Sequence, residues 1–218
     1  MKALFYIISL FPKTFFVYLV DIYIFSKLFR FFKSYKVTKI NLKIAYPDLN
    51  PSDINLLAKL SIRESIISGY ETIYTWGRRS HESNSQVFKI ENNFLLKNLV
   101  NKRKGLIAVA IHNRSVDMLL RWLNSNFVTV SLYKKIKINV LDRFVKRERE
   151  AGGSKSIETS IHGVRKILKA LMSKEIICFA ADQVPQRGHG EYIKFYNREA
   201  YSTTLVQSLA TKTNASVL

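Results

Sequence analysis

Short apolar segments of strand length alternate with amphipathic helical segments through the second half of the chain. Residues 106–111 form an apolar run of strand length, and an amphipathic helical pattern follows over about residues 114–124. Further strand patterns lie at 127–133 and 175–181, a polar-aromatic segment at 192–196, helical patterns at about 141–150, 163–172 and 203–211, and an opening strand at 215–218. This alternation predicts an α/β layer fold, which we expect to be a mixed sheet flanked by helices.

Two ionisable residues occupy the turn between the first strand and its helix. His112 and Asp117 are separated by four residues, at a position where α/β enzymes commonly place their chemistry. On one continuous helix, residues five apart point about 140° away from each other, so the chain must bend between the two if their side chains are to meet. A carboxylate beside an imidazole fixes its tautomer and supports its protonated form. The spacing is compatible with His112 as a general base oriented by Asp117. By itself it favours the alternative, an exposed histidine and an unrelated acidic residue that suits the helix dipole, because short motifs have many false positives.

The composition narrows the class of partner. The chain has 218 residues, enough for one domain, and 35 Lys and Arg against 16 Asp and Glu give a formal net charge of +19. Such a balance favours an anionic partner: nucleic acid, acidic lipid headgroups or an acidic carrier protein. The single cysteine, Cys178, excludes an internal disulfide framework and a cysteine-based zinc site, and its apolar neighbours predict a buried, inert thiol. The histidines show no metal-ligand spacing, so no metal is expected.

The first 35 residues are rich in aromatic and aliphatic side chains. Pro12, Lys13 and Asp21 interrupt them, so no unbroken apolar run reaches the length of a confident spanning helix. Basic residues follow on the side that the positive-inside rule assigns to the cytoplasm. We expect residues 1–35 to be an N-terminal hydrophobic membrane anchor, tilted through the bilayer or lying in its interface, and residues 36–218 to be the functional domain. A buried pair of core helices is the alternative.

A longer helix is expected directly after this segment. Asn50 is a favourable N-cap, Pro51 suits the first helical position, and Asp53 suits the first turn. Apolar residues at helical spacing continue to Trp76, and Gly77 is a plausible stop. Residues 78–104 are polar and basic, and they are interpreted as a connection.

Several further motifs occur in a fixed order around His112 and Asp117. They are Asn41-Leu42 with Ala45-Tyr46-Pro47-Asp48-Leu49, a basic helix with Arg147, Arg149 and Gly152, Gly163-Val164-Arg165, Asp182-Gln183, Phe195-Tyr196, and Leu209-Ala210 before Ala215. With this ordered set, which spans nearly the whole chain, the sequence resembles the late acyltransferases of lipid A biosynthesis, of the Kdo-dependent lauroyl/myristoyl transferase type. No single motif of the set is specific by itself.

The resemblance implies a reaction and its partners. It implies transfer of a fatty acyl group from an acyl carrier protein to a hydroxyl of an anionic lipid A precursor, at the cytoplasmic face of the bacterial inner membrane. It implies a glycerolipid-acyltransferase-like fold, with His112 as the general base and Asp117 as its orienting carboxylate. No cofactor is implied, because a thioester is already activated. The net charge of +19 suits both the acidic carrier and the anionic acceptor.

Further residues are candidates for substrate binding. Lys134, Arg147 and Arg149 belong to the densest basic stretch, where they can receive acceptor phosphates or carrier carboxylates. The alternative for that stretch is a solvated helix face beside a membrane. Asp182 and Gln183 end a predicted strand, where Asp182 can hold a basic residue, orient a loop or cap a turn.

The chain also departs from the family pattern. The family usually has an aromatic residue after the histidine, where Asn113 stands here, and often Trp-Glu where Val116 and Asp117 stand. It typically places an arginine after the tyrosine of the second strand; Lys134 keeps the charge there without the bidentate fork. Family members usually continue well beyond this length, so we expect the C-terminal part to be incomplete, which bears on activity more than on ancestry.

Two other functional readings stay open. A glycerolipid acyltransferase of the lysophospholipid type is the nearest enzymatic rival, although Ile111 and the Asp182-Gln183 segment do not match its usual motifs. An inactive, shortened family member that acts only as a basic membrane-binding protein is the second. A nucleic-acid partner is disfavoured, because the aromatic residues lie in apolar runs and no RNA-binding motif is present.

Overall fold

The computed structural model describes residues 2–87 and 89–218. Residue 1 of the predicted anchor and residue 88 of the predicted connection lie outside the described residues. The helices are α1 (Lys2–Leu10), α2 (Lys13–Phe25), α3 (Lys33–Ala45), α4 (Pro51–Gly77), α5 (Ser80–Asn84), α6 (Asn93–Asn101), α7 (Val116–Asn126), α8 (Asn139–Arg149), α9 (Ile161–Met172) and α10 (Leu205–Thr213). The strands are β1 (Leu106–Ala110), β2 (Thr129–Tyr133), β3 (Lys155–Glu158), β4 (Ile176–Ala180), β5 (Gly190–Phe195), β6 (Arg198–Thr203) and β7 (Ser216–Val217). Short 3-10 turns span Leu28–Phe31 and Ala151–Gly153.

A five-stranded parallel sheet forms the centre of the α/β domain. Its strand order is β3-β2-β4-β1-β7, and each strand pairing among the described residues of this sheet is parallel. The prediction of α/β layers is confirmed, but the prediction of a mixed sheet is wrong. The antiparallel pair, β5 with β6, forms a separate two-stranded hairpin. Helical crossovers α7, α8 and α9 connect the strands, and such crossovers return the chain in a parallel direction.

Two apolar layers cover the faces of this sheet. On one face Ile107, Val130 and Ile177 pack against Ile167 and Leu171 of α9. On the other face Leu106, Ala110, Ile176 and Cys178 of the sheet pack against Leu96 of α6 and against Leu120 and Leu123 of α7. Adjacent strand residues therefore alternate between the two layers, as the pleat of a strand requires. Cys178 is buried, as the sequence predicts, and burial raises the pKa of its thiol to about 11.

The N-terminal region forms a separate helical layer around α4. Asn50 caps α4 by accepting the Asp53 backbone N–H at 3.0 Å, and this helix ends at Gly77, so its predicted bounds are confirmed. The expected anchor consists of α1, α2 and the 3-10 turn Leu28–Phe31. Among the described residues, no helix taken singly has the length and apolarity to cross a bilayer. Joined together, α1 and α2 do, by length and composition only, and they are bent by 85° at their junction.

Candidate functional site

The parallel sheet brings together two residues that lie 70 positions apart in the sequence. Strands β1 and β4 are neighbours, and Ala110 is paired with Ala180 at their carboxyl ends. Two residues beyond this pair, the chain reaches His112 on one side and Asp182 on the other. Ligand and catalytic groups of open α/β sheets commonly lie at such carboxyl ends. The strand register therefore sets the position of both side chains.

His112 and Asp182 are joined by two hydrogen bonds. Imidazole Nδ1 lies 2.7 Å from Asp182 Oδ1, and the His112 backbone N–H donates to Asp182 Oδ2 at 2.6 Å. Their side chains are 46% and 35% exposed, so the pair is open to solvent on one side. With Nδ1 donating its proton to the carboxylate, Nε2 carries a lone pair and can accept a proton from a hydroxyl. The Gln183 side-chain nitrogen lies 3.4 Å from Nε2.

This pairing keeps Asp182 ionised. Partial burial alone would raise the pKa of the Asp182 carboxyl, but the hydrogen bonds from the backbone and ring of His112 outweigh it and hold that pKa below its ordinary value. A carboxylate in this position stabilises the imidazolium that forms when His112 takes up a proton. Chemically, such an arrangement can serve as a general base with an orienting acid.

Asp117 has a different partner. Ser115 caps α7, and Asp117 lies in the first helical turn, where its buried carboxylate faces the end of α8. It accepts two hydrogen bonds from Arg149, from Nε at 2.7 Å and from a terminal nitrogen at 3.1 Å. The predicted contact between Asp117 and His112 is wrong, because Asp182 of the neighbouring strand binds the imidazole and the two-donor fork of Arg149 binds Asp117.

Of the five predicted substrate-binding residues, Asp182 and Gln183 lie beside His112, and the three basic ones lie in different environments. Lys134 is exposed directly after β2, at the same edge of the sheet as His112. Arg147 is exposed on α8, with its guanidinium over the Phe144 ring at 5.6 Å. Arg149 is engaged by Asp117. Contacts of these residues with substrate stay predictions, and of the three only Lys134 and Arg147 present exposed charge.

A cationic residue of the loop after His112 connects the site to the N-terminal helices. Arg114 Nε donates to Glu71 of α4 at 2.8 Å, and Lys13 at the start of α2 binds the other oxygen of Glu71, also at 2.8 Å. Burial would raise the pKa of Glu71, but the bonds from Arg114 and Lys13 outweigh it and hold that pKa below its ordinary value. Sequence reasoning missed this link, because a single glutamate inside a long helix has no spacing that distinguishes it.

One cavity lies away from the histidine. Its volume is about 540 Å³, and it is found at the carboxyl end of α7, where Arg121 and Glu148 pair at 3.3 Å. His112 begins the loop at the amino end of the same helix, so the histidine and its carboxylate lie on open surface rather than in this cavity. Within residues 2–87 and 89–218 there is no cluster of three or more histidine, cysteine or acidic side chains that could hold a metal ion.

The comparison with known families covers both the helical layer and the sheet. The family model described as "Bacterial lipid A biosynthesis acyltransferase" matches residues 2–218. No curated protein matches the chain. The family match includes α1 and α2 together with the strands that lead to His112 and Asp182, so the N-terminal helices and the candidate site lie within one matched region.

Proposed function

Since this chain belongs to the bacterial lipid A biosynthesis acyltransferases, we propose that it transfers a fatty acyl group from acyl carrier protein to a hydroxyl of a lipid A precursor. The observation that carries the proposal is the hydrogen-bonded pair of His112 and Asp182 at the carboxyl edge of the sheet. We place the reaction at the cytoplasmic face of the bacterial inner membrane. Family membership and the net charge of +19 support that location.

His112 acts as the general base in this proposal. Its Nε2 removes the proton from the acceptor hydroxyl while the hydroxyl oxygen attacks the thioester carbonyl carbon. The carbon–sulfur bond then breaks, the ester forms, and the departing thiolate takes the proton from the imidazolium. Asp182 holds Nδ1 and balances the positive charge between these two proton transfers. The thioester supplies the activated acyl group, so the residues need only deprotonate, orient and stabilise charge.

The oxyanion of the tetrahedral intermediate needs donors close to the base. The loop that begins with His112 leads into the amino end of α7, where backbone N–H groups and the helix dipole favour negative charge. Asp117 has a positioning role here, because its ion pair with Arg149 fixes this end of α7 against α8. Asp182 therefore takes the orienting role that the sequence spacing had suggested for Asp117.

The charge distribution supports an anionic acceptor and an acidic donor protein. Lys134 lies at the edge of the sheet that carries His112, and its ammonium is exposed. Arg147 presents a mostly exposed guanidinium on α8. We assign acceptor phosphates or carrier carboxylates to these two side chains, since both groups bind cations through charge-assisted hydrogen bonds.

The decisive experiment compares two substitutions with matched controls. His112→Ala and Asp182→Asn are purified with lipid and assayed for transfer from labelled acyl carrier protein to a lipid A precursor. We expect His112→Ala to lose about a thousandfold in rate and Asp182→Asn about a hundredfold, in the range usual for general-base catalysis. His162→Ala on α9 and Glu158→Gln at the end of β3 are exposed and should keep the parental rate.

The outcomes separate the competing assignments. A His112→Ala protein with the parental rate would remove the histidine from the mechanism. Transfer to glycerol 3-phosphate or a lysophospholipid, without transfer to the lipid A precursor, would identify a glycerolipid acyltransferase. A parental chain that transfers to neither acceptor but binds anionic vesicles would be a membrane-binding family member without activity.

A further inference from the structure

An exposed apolar surface covers the outer side of α1, α2 and the 3-10 turn that follows them. We call it the elbow surface, because the two helices meet at 85°. Its exposed large side chains include Ile7, Phe11, Tyr18, Ile22, Phe25 and Phe31, and the last two are the most exposed, at 86% and 82%. Contiguous apolar patches of this kind mark interaction sites on proteins.

We infer that the elbow surface inserts into one leaflet of an anionic bilayer, with α1 and α2 both entering from the same side. The inference deepens the membrane location in the proposed function, but it concerns lipid docking and does not require acyl transfer. The alternative arrangement joins α1 and α2 into one straight helix that crosses the bilayer. The contacts that both helices make with α4 distinguish the two arrangements.

The first arm of the elbow is packed closely on α4. Gly77 contacts the Phe5 backbone so closely that a Cβ at this glycine would clash with the Phe5 carbonyl. Arg78 donates to the Ser9 carbonyl at 3.0 Å, and Ser9 is buried. These contacts hold α1 along the end of α4, so α1 cannot rotate into line with α2 without losing them.

The junction and the second arm are held by the same helix. Tyr70 donates its hydroxyl proton to the Phe11 carbonyl at 2.6 Å, which satisfies a backbone acceptor freed where α1 ends. Arg63 binds both carboxylate oxygens of Asp21 in α2, at 2.6 and 3.0 Å. A single straight helix would break the hydrogen bond at the junction and would pull one arm away from α4. The bent arrangement keeps every one of these contacts and leaves the apolar faces of both arms free.

The charge around the elbow surface selects an anionic lipid as the partner. Residues 2–43 contain eight lysines and arginines, of which Lys2 and Lys13 are paired with glutamates, and one acidic residue, Asp21, which is paired with Arg63. Exposed basic side chains border the most exposed phenylalanines: Lys27, Arg30, Lys33 and Lys36. Aromatic and aliphatic groups that enter a bilayer beside a row of cations match a surface of acidic headgroups.

The test measures the depth of one position on each arm. Cys178 is buried and its thiol pKa is raised to about 11, so introduced cysteines can be labelled selectively in the folded chain. Ile7→Cys and Ile22→Cys are labelled with an environment-sensitive fluorophore and bound to preformed vesicles of phosphatidylethanolamine and phosphatidylglycerol. Depth is read with lipid-attached quenchers, and sidedness with an aqueous quencher outside the vesicles. Glu191→Cys on the exposed β5 provides the aqueous control.

Single-leaflet insertion predicts equal, shallow depths for the two labels. Both should lie about 5–10 Å below the headgroups, and a label at Lys2→Cys should be quenched from outside. A straight helix over residues 2–25 would be about 36 Å long, and it would place Lys2 at the opposite headgroup layer, out of reach of the outside quencher. That result would overturn the inference. The inference would also be overturned if the labels at residues 7 and 22 reported the same aqueous environment as the control. A protein partner would then be the remaining occupant of the elbow surface.

A charge variant tests the choice of lipid. Replacing Arg30, Lys33 and Lys36 with glutamine should weaken partitioning into the anionic vesicles by about a hundredfold. The matched control replaces three exposed basic residues of α9 with glutamine: Arg165, Lys166 and Lys169. Equal partitioning of the two triple variants, or equal binding of the parent to vesicles of phosphatidylcholine alone, would contradict an anionic partner. Neither measurement depends on acyl transfer, so both test lipid docking even if the proposed activity is not found.

Discussion

The ion pair between Asp117 and Arg149 makes it possible to test whether the acid of the His-x4-Asp motif has a structural or a catalytic role. The substitution Asp117→Asn keeps the shape of the side chain and removes its charge. In the structure that carboxylate is buried and accepts both hydrogen bonds of the Arg149 fork, at 2.7 and 3.1 Å. The variant leaves the guanidinium facing a neutral amide, and we expect its main effect to be on the free energy of unfolding.

The size of this effect follows from the burial of the pair. Removing one partner of a buried ion pair costs about 3–5 kcal/mol, because the other charge stays desolvated. The side chain of Arg149 is 20% exposed and that of Asp117 is 10% exposed, so water can relieve part of this cost. We therefore expect the lower limit, about 3 kcal/mol. Arg149→Gln should cost a similar amount, and the double variant should cost about 2 kcal/mol less than the sum of the two.

Urea unfolding of the lipid-bound protein, followed by circular dichroism, measures these differences. With a slope of about 3 kcal/mol per molar urea, the midpoint of Asp117→Asn should fall by about 1 M. Asp48→Asn, a change at an exposed carboxylate, should leave the midpoint unchanged. An Asp117→Asn protein with the parental midpoint and a transfer rate reduced more than a hundredfold would refute this reasoning. Asp117 would then act on the reaction itself.

Three further outcomes follow from the described contacts. Arg114 and Lys13 hold the pKa of Glu71 below its ordinary value of about 4.3, so the stability that the ionised carboxylate contributes is present above that pH and is lost as the pH falls through the lowered pKa. In unfolding measurements at decreasing pH, Glu71→Gln should therefore lose less stability on acidification than the parental protein. Cys178 should react with an aqueous thiol reagent only after unfolding, which a timed labelling assay with and without urea would show; prompt reaction in the folded protein would contradict its burial. Gly77→Ala should lower the urea midpoint through its clash with α1, whereas Gly69→Ala, inside the same helix and with open space around it, should raise the free energy of unfolding by about 0.4–1 kcal/mol; equal midpoints would argue against the close packing.

Sequence patterns predict the buried elements well, because a buried strand requires a run of apolar residues that is visible in the local sequence. The strands β1, β2 and β4 are short apolar runs, and their predicted bounds lie within two residues of those observed. The missed strands, β3, β5 and β6, are partly or largely exposed and contain polar residues, so they lack such a run. The helix α6 was also missed, because it lies in a stretch that was interpreted as a polar connection. Polar elements of this kind depend on packing that a local pattern does not report.

The site could be predicted in its parts but not in its pairing. His112 and Asp182 were both recognised as residues at the ends of strands. Their contact depends on β4 lying beside β1, and strand order is set by the packing of the crossover helices rather than by any local spacing. The His-x4-Asp spacing at a strand-to-helix turn, together with the family resemblance, predicts a pairing of Asp117 with the histidine. The spacing carried no information about Arg149, whose fork arrives from the end of α8.

The central position of β4 has a consequence for how the protein is made. β1 and β2 do not touch each other in the finished sheet, since β4 lies between them. A nascent chain that has emerged only as far as α9 therefore has its imidazole but lacks the carboxylate that polarises it. Strand β4 must insert between β1 and β2, which precede it in the sequence. Contacts between segments this far apart in the sequence form slowly. The reactive pair would thus be assembled only after β1, β2, β3 and β4 have all left the ribosome.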